Sequence, residues 1–153
     1  MGRDGKEWDA GVLYGEFRHT VDDKGRLSLP AKFRSKLGER VVVSKGVDKC
    51  LYVYSLKVFE AVVERLEEHA SSQKEFRDFL RFFLAGSYDT EVDGHGRILI
   101  QAGHREYAGL QRDVVVIGIS HRAEIWDAAT YDASEETARS NFAAVAEKVD
   151  FRL

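Results

Sequence analysis

Apolar and polar positions alternate from Leu13 to Val21, with Phe17, His19 and Val21 on one face and Arg18 and Thr20 on the other. That period of two predicts a half-buried strand. The alternation resumes over Arg26-Leu-Ser-Leu29. Three residues ending in Gly25 separate Asp22 from Arg26, and such a hairpin loop favours glycine at its last, left-handed position. In this register Asp22 and Arg26 are cross-strand neighbours, an opposite-charge pair contributing about 0.2–1 kcal/mol. Val21 and Leu27 fall on the other face, next to His19 and Leu29. Pro30 then suits the first turn of a short helix, Pro30 to Leu37, with Gly38 past its end. Phe33 and Leu37 lie on one stripe of that helix, and Lys32 and Lys36 share another. Val41-Val-Val43 and Leu51-Tyr-Val-Tyr54 predict two further strands.

The same pattern returns 71 positions later. Val21-Asp-Asp-Lys-Gly-Arg-Leu-Ser-Leu29 is matched by Val92-Asp-Gly-His-Gly-Arg-Ile-Leu-Ile100. Gly15-Glu-Phe17 precedes one and Gly86-Ser-Tyr88 the other, and Arg34 and Gly38 recur as Arg105 and Gly109. Val114-Val-Val-Ile117 and Glu124-Ile-Trp126 close the second copy as strands. Helical spacing runs over Leu56 to His69 (Phe59, Val62, Val63, Leu66). It recurs after a candidate capping box, Ser72-Gln-Lys-Glu75 (Phe76, Phe79, Leu80, Phe83, Leu84), and from about Ala128 to Val149 (Tyr131, Phe142, Val145, Val149). These apolar positions predict core packing. Each repeat alone is too small to bury its sheet face, so the two halves are expected to pair into a shared barrel.

With 153 residues, 44% of them apolar, one Pro and 13 Gly, the chain can bury a core in one or two compact units. No apolar run approaches the roughly 18 residues of a membrane span, and Met1 to Gly11 lacks an apolar secretory segment. One cysteine, Cys50, excludes an internal disulfide and a cysteine zinc cluster. These features predict a soluble cytoplasmic protein without a cofactor. The net charge of −3 conceals an asymmetry. From Gly15 to Arg40 seven basic residues face four acidic ones, a net of +3; from Gly86 to Arg112 three face four, a net of −1.

The motifs Gly15-x-Phe17, Asp22-Asp-Lys-Gly-Arg-Leu-Ser-Leu-Pro-Ala-Lys-Phe-Arg34, Phe79-Leu-Arg-Phe-Phe-Leu-Ala-Gly86, Asp93-Gly-His-Gly-Arg-Ile-Leu-Ile100 and Glu124-Ile-Trp-Asp127 together resemble the MraZ family. The resemblance covers Leu13 to Val149. It implies an α+β fold of two tandem AbrB-like swapped-hairpin repeats forming one pseudo-symmetric barrel, with helices packed after each repeat. The implied divisions are a basic first AbrB-like domain over 13–60, connecting helices over 61–85, a second such domain over 86–127 and a C-terminal helix over 128–150. It further implies a regulator bound to double-stranded DNA at direct repeats in the promoter of its own division and cell-wall gene cluster. A ring-like homo-oligomer and a cytoplasmic, nucleoid-associated location belong to the same expectation. The first Asp-x-x-x-Arg element, here Asp22 and Arg26, is the one associated with DNA. Gln101-Ala-Gly103 departs from the proline often found after the second such strand.

Arg26 is the candidate for a guanine edge, the commonest specific side-chain contact in the major groove. Lys24 at the loop tip, with Arg18, Lys32, Arg34 and Lys36, forms the candidate phosphate-binding set. Asp93 and Arg97 repeat the pair, but Glu91 and Asp89 nearby would repel a phosphate, so a structural or interface role is expected for them. Enzyme readings are weak. Gly96 of Asp93-Gly-His-Gly leads into a strand, not into the helix N-terminus a phosphate loop needs. The five histidines lack metal-ligand spacing, and Cys50 reads as buried. The expectation is therefore no catalytic residue and no metal site. The rival reading is a ring-forming interaction protein that binds no specific DNA.

Overall fold

The computed structural model describes residues 11–70 and 73–151. Met1 to Ala10 and Ser72 of the candidate capping box lie outside them. The elements in chain order are β1 (Glu16–Thr20), β2 (Arg26–Ser28), α1 (Ala31–Leu37), β3 (Arg40–Lys45), β4 (Leu51–Ser55), α2 (Leu56–His69) and α3 (Lys74–Ala85). There follow β5 (Tyr88–Glu91), β6 (Arg97–Leu99), α4 (Ala102–Tyr107), β7 (Asp113–Ile119), β8 (Arg122–Asp127) and α5 (Ala128–Lys148).

The predicted hairpins form but part at once. Asp22 and Arg26 face each other, with the Asp22 amide donating to the Arg26 carbonyl at 2.9 Å, and Val21 bridges Leu27. Beyond that pair β1 leaves to join β7, with Phe17 opposite Val116 and His19 opposite Val114. His19 therefore pairs across the sheet with Val114, and no ladder carries the hairpin on to Leu29. In the second copy β5 joins β3, with Tyr88 opposite Val43. The sheet order β1-β7-β8-β4-β3-β5 has a pseudo-two-fold axis between β8 and β4, and each half lends its first strand to the other. The second strands, β2 and β6, pair as a separate two-stranded ribbon. The six-stranded sheet ends at β1 and β5 and is not closed into the expected barrel.

Three layers result. Between ribbon and sheet lie Leu27, Leu29, Phe33, Leu37, Val41, Val43, Leu51, Val53, Ile98, Ile100, Val114, Val116 and Ile125. On the other face of the sheet, Cys50, Tyr52, Tyr54 and Trp126 meet Phe83 and the half-buried Phe59, Val62, Leu66 and Tyr131 of the helices. A strand covered on both faces must be apolar at successive positions, which explains Val41-Val-Val43 and Leu51-Tyr-Val-Tyr54. β4 and β8 each run directly into a helix whose cap is the strand's last residue. Ser55 accepts from the Val58 amide at 3.1 Å, and Asp127 from the Thr130 amide at 3.3 Å.

The halves diverge in a coupled way. Pro30 has no amide proton, whereas its counterpart Gln101 does, and that proton is taken by the Tyr88 hydroxyl at 3.0 Å. Tyr88 occupies the place of Phe17, so its extra hydroxyl accompanies the loss of proline. The same ring packs edge-on against buried His104, as Phe17 does against Phe33. The helix after β6 forms over Ala102–Tyr107 although Gly103 stands in it.

Not all predicted core positions are buried. On α3 only Phe83 is; Phe76, Phe79, Phe82 and Leu84 are exposed, Phe79 and Phe82 standing at a cavity they share with Tyr52, Tyr54 and Tyr107. α3 starts at Lys74 behind Gln73, which makes no side-chain cap. On α5 the packing ends early. Tyr131 meets Trp126, but Phe142, Val145 and Val149 are exposed, since a 21-residue helix spans about 30 Å and outruns the sheet beneath it.

Leu27 and Ile98 sit directly opposite each other on the ribbon, 0% and 1% exposed. Leu27→Ala and Ile98→Ala should each lower unfolding stability by about 2–5 kcal/mol in chemical denaturation, although both lie beside short loops.

Candidate nucleic-acid interface

The two Asp-x-x-x-Arg loops are built alike. Asp22 Oδ1 accepts from the amides of Lys24 and Arg26, each at 2.9 Å, and its Oδ2 accepts from Arg26 Nε at 2.8 Å. Asp93 accepts from the amides of His95 at 2.8 Å and Arg97 at 2.9 Å, and from Arg97 Nε at 2.9 Å. Gly25 and Gly96 complete the turns at φ of 82° and 78°, where a side chain is strained. One carboxylate thus fixes both the loop and the outward angle of the guanidinium. Among the described residues, no other acceptor engages the Nη groups of Arg26 or Arg97. Their side chains are 33% and 28% exposed.

Ribbon register decides where these arginines point. Arg26 lies opposite Leu99, and Ser28 opposite Arg97. Side chains directly across an antiparallel pair share a face. Leu27 and Ile98 are buried beneath, so Arg26, Ser28, Arg97 and Leu99 all occupy the outer face. In sequence, Asp89 and Glu91 set Arg97 apart from Arg26. Both acids lie on β5 in the main sheet and are engaged by Arg40, at 2.6 and 3.2 Å.

The predicted phosphate set is dispersed. Lys24 is exposed at the loop tip. Lys32 and Lys36 are exposed on α1 and lean on the segment before β1: Lys32 Nζ lies 5.1 Å from the Tyr14 ring centre, and Lys36 Nζ donates to the Val12 carbonyl at 3.2 Å. Arg18 is drawn to α5 by Asp132 at 2.7 Å and also meets Glu16 at 3.0 Å, which raises its pKa further. Arg34 turns inward, donating to the Leu29 carbonyl at 3.2 Å and lying against Gly96. Of the predicted set, Lys24 at the loop tip and Lys32 and Lys36 on α1 are exposed, and Arg26 is half-buried on the outer face of the ribbon. Arg105 mirrors Arg34 and lies against Gly25; its recurrence at matched spacing was the available signal.

Cys50 and Glu124 are buried. Burial pushes the Cys50 thiol up to about 12. Glu124 is buried and accepts from Arg122 at 2.6 Å and from the Trp126 indole at 2.9 Å. No helix among the described residues is long and apolar enough to cross a membrane.

The amide of Arg97 and then the neighbouring donors hold the Asp93 carboxyl down to about 2, and the Arg26 amide likewise lowers that of Asp22. A carboxylate whose folded pKa is depressed supports the fold above its unfolded value, about 3.9, and loses that support as pH falls through the folded value. A carbon-detected NMR titration should place the Asp93 midpoint at about 2, with the loop bonds complete above about pH 4. A midpoint near that of a free aspartate would show that the loop does not hold its carboxylate.

Comparison with known proteins follows the internal duplication. The profile of the family described as "MraZ protein, putative antitoxin-like" matches residues 12–82 and again residues 83–152. The chain is similar to the transcriptional regulator MraZ of Caldanaerobacter subterraneus subsp. tengcongensis, 44% identical over 91% of this chain and 97% of that protein. It is also similar to the transcriptional regulator MraZ of Symbiobacterium thermophilum, at 45% identity over 90% and 99%. Against the protein of the same name from Caldicellulosiruptor bescii, identity is 51% over 75% and 80%. With both halves matched and relatives aligned along nearly its full length, this chain belongs to the MraZ family.

Proposed function

We propose that this chain is a non-enzymatic transcriptional regulator that binds double-stranded DNA through the outer face of the β2–β6 ribbon. The observation that carries this reading is Arg26, fixed by Asp22 at 2.8 Å on an outward loop with its Nη groups free for a base edge. An arginine aimed in this way suits guanine in the major groove. Lys24, Lys32 and Lys36 supply phosphate contacts beside it. Relatives named transcriptional regulators support the same role. A positive ribbon face on a chain of net charge −3 is sufficient, because only the apposed surface must attract the duplex.

The finer reading is repression of the chain's own division and cell-wall gene cluster, with tandem promoter repeats each read by one subunit of a ring in the nucleoid-associated cytoplasm. Weak single contacts gain strength when subunit spacing matches repeat spacing. The exchange of first strands between halves supports an AbrB-like assignment over 13–60 and 86–127, with 61–85 connecting them and 128–150 following. Arg97 and Asp93 keep a structural or interface role in this proposal, Arg26 being the arginine whose loop carries Lys24 where the other carries His95.

A footprint on the DNA upstream of the chain's own gene tests the site. Arg26→Ala should weaken specific binding by roughly tenfold or more, consistent with about 1–3 kcal/mol for one arginine–guanine contact, while light scattering shows unchanged assembly. Wild-type binding should also fall with salt at a log–log slope of about −0.9 per phosphate contact. A variant that binds like wild type would remove Arg26 from the interface. Absence of any protected DNA would favour the ring-forming interaction protein.

A further inference from the structure

We propose that Arg105, supplied by the second half of the chain, is a positioning residue for the Arg26 loop of the first half; this rests on that loop being the DNA-contacting element. The two halves are cross-braced. Arg105 donates to the Ile100 carbonyl, and its guanidinium lies against the bare backbone of Gly25, where an added methyl would overlap its Nη1. The Ile100 amide donates to the Gly25 carbonyl at 2.7 Å. The Gly25 amide in turn donates to the Asp22 carbonyl at 2.9 Å, and Asp22 holds Arg26. A continuous path of bonds therefore runs from Arg105 to the guanidinium proposed to read a base.

The brace is reciprocal. Arg34 donates to the Leu29 carbonyl at 3.2 Å and lies against Gly96, where a methyl would stand 2.5 Å from its Cζ and 2.8 Å from its Nε. The Leu29 amide donates to the Gly96 carbonyl at 2.9 Å. Each arginine therefore supports the loop of the other half. Both are half-buried, and their planar forks face a loop backbone. A lysine in that niche would keep the charge but lose the flat surface that lies on glycine. The loop is short and exposed, so orientation lost there must be recovered on binding, which costs affinity.

This arrangement makes a prediction opposite to the one charge position alone would give. Arg34 lies in the basic repeat and Arg105 in the acidic one, yet it is Arg105 whose loss should impair DNA binding. The probe is the duplex that wild-type protein enriches from random-sequence DNA. Arg105→Ala should bind it about tenfold or more weakly, while Arg34→Ala, which empties the equivalent niche, should lose less than about threefold. The salt slope should stay unchanged in both, because neither group meets a phosphate. Amide exchange gives a readout independent of DNA: Arg105→Ala should speed exchange at the Arg26 amide and spare that of Arg97, and Arg34→Ala should do the reverse. If an alanine variant unfolds, Arg105→Lys and Arg34→Lys replace the pair, with the same inequality expected.

Equal losses in the two variants, a larger loss with Arg34→Ala, or uniform changes in exchange would overturn the proposal. A slope shallower by about 0.9 in Arg105→Ala would overturn it too, by making Arg105 a direct phosphate contact. If wild-type protein enriches no duplex, the DNA reading falls, and the exchange experiment alone decides whether the brace exists.

Discussion

The pairing of β2 with β6 is the contact on which the rest of this molecule depends. Three residues from each half meet there, with Leu27 against Ile98 in the core and Arg26 and Arg97 outside. The ribbon roofs one face of the main sheet, and without it Val41, Val43, Val114 and Val116 would lose their cover. It also brings two separate loops to one outer face. In the first half β1 and β2 part after the single bridge Val21–Leu27, and in the second β5 pairs with β3 instead of β6, so the ribbon draws one strand from each half. Exchange of strands therefore ties the cover of the core to the outer face that carries both arginines.

Duplication followed by unequal change explains much of the detail. The backbone bonds that define the loops are kept in both halves, as are the braces from Arg34 and Arg105. The side chains around them have moved apart. Lys24 is matched by His95, Phe33 by His104, and Pro30 by Gln101 with its compensating Tyr88 hydroxyl. Architecture is common to both halves, and positive charge is concentrated in one. A sheet that needs both halves for its core still tolerates specialisation of one outer loop, because loop-tip side chains contribute little to the buried layers.

Helices after each repeat show where local pattern misleads. Apolar spacing on α3 and α5 is regular, but periodicity reports only that a face is apolar, not that a partner lies within reach. Phe83 is buried and Tyr131 half-buried over the sheet, whereas Phe79, stacked on Phe83, and Phe142, farther along α5, remain exposed. Burial here depends on how far the sheet extends, a property set by strands distant in sequence.

Short-range chemistry along the chain settles whatever a few consecutive residues can decide. Asp22 to Arg26 specified the turn, its glycine and its charge pair, since every bond involved spans four residues or fewer. Pro30 and Gly38 likewise marked the ends of α1 through local backbone chemistry, whereas the caps Ser55 and Asp127 emerged with the structure. Long-range packing chose which strand each arm would join, because β7 offers β1 the same hydrogen-bonding groups that β2 does. It also decided the fate of like-charged neighbours. Arg18 went to Asp132, 114 residues away, Arg34 to the loop of the other half, and Arg26 stayed outward. A guanidinium can satisfy itself with any acceptor or flat surface within reach, and what is within reach is fixed by the packing of distant segments.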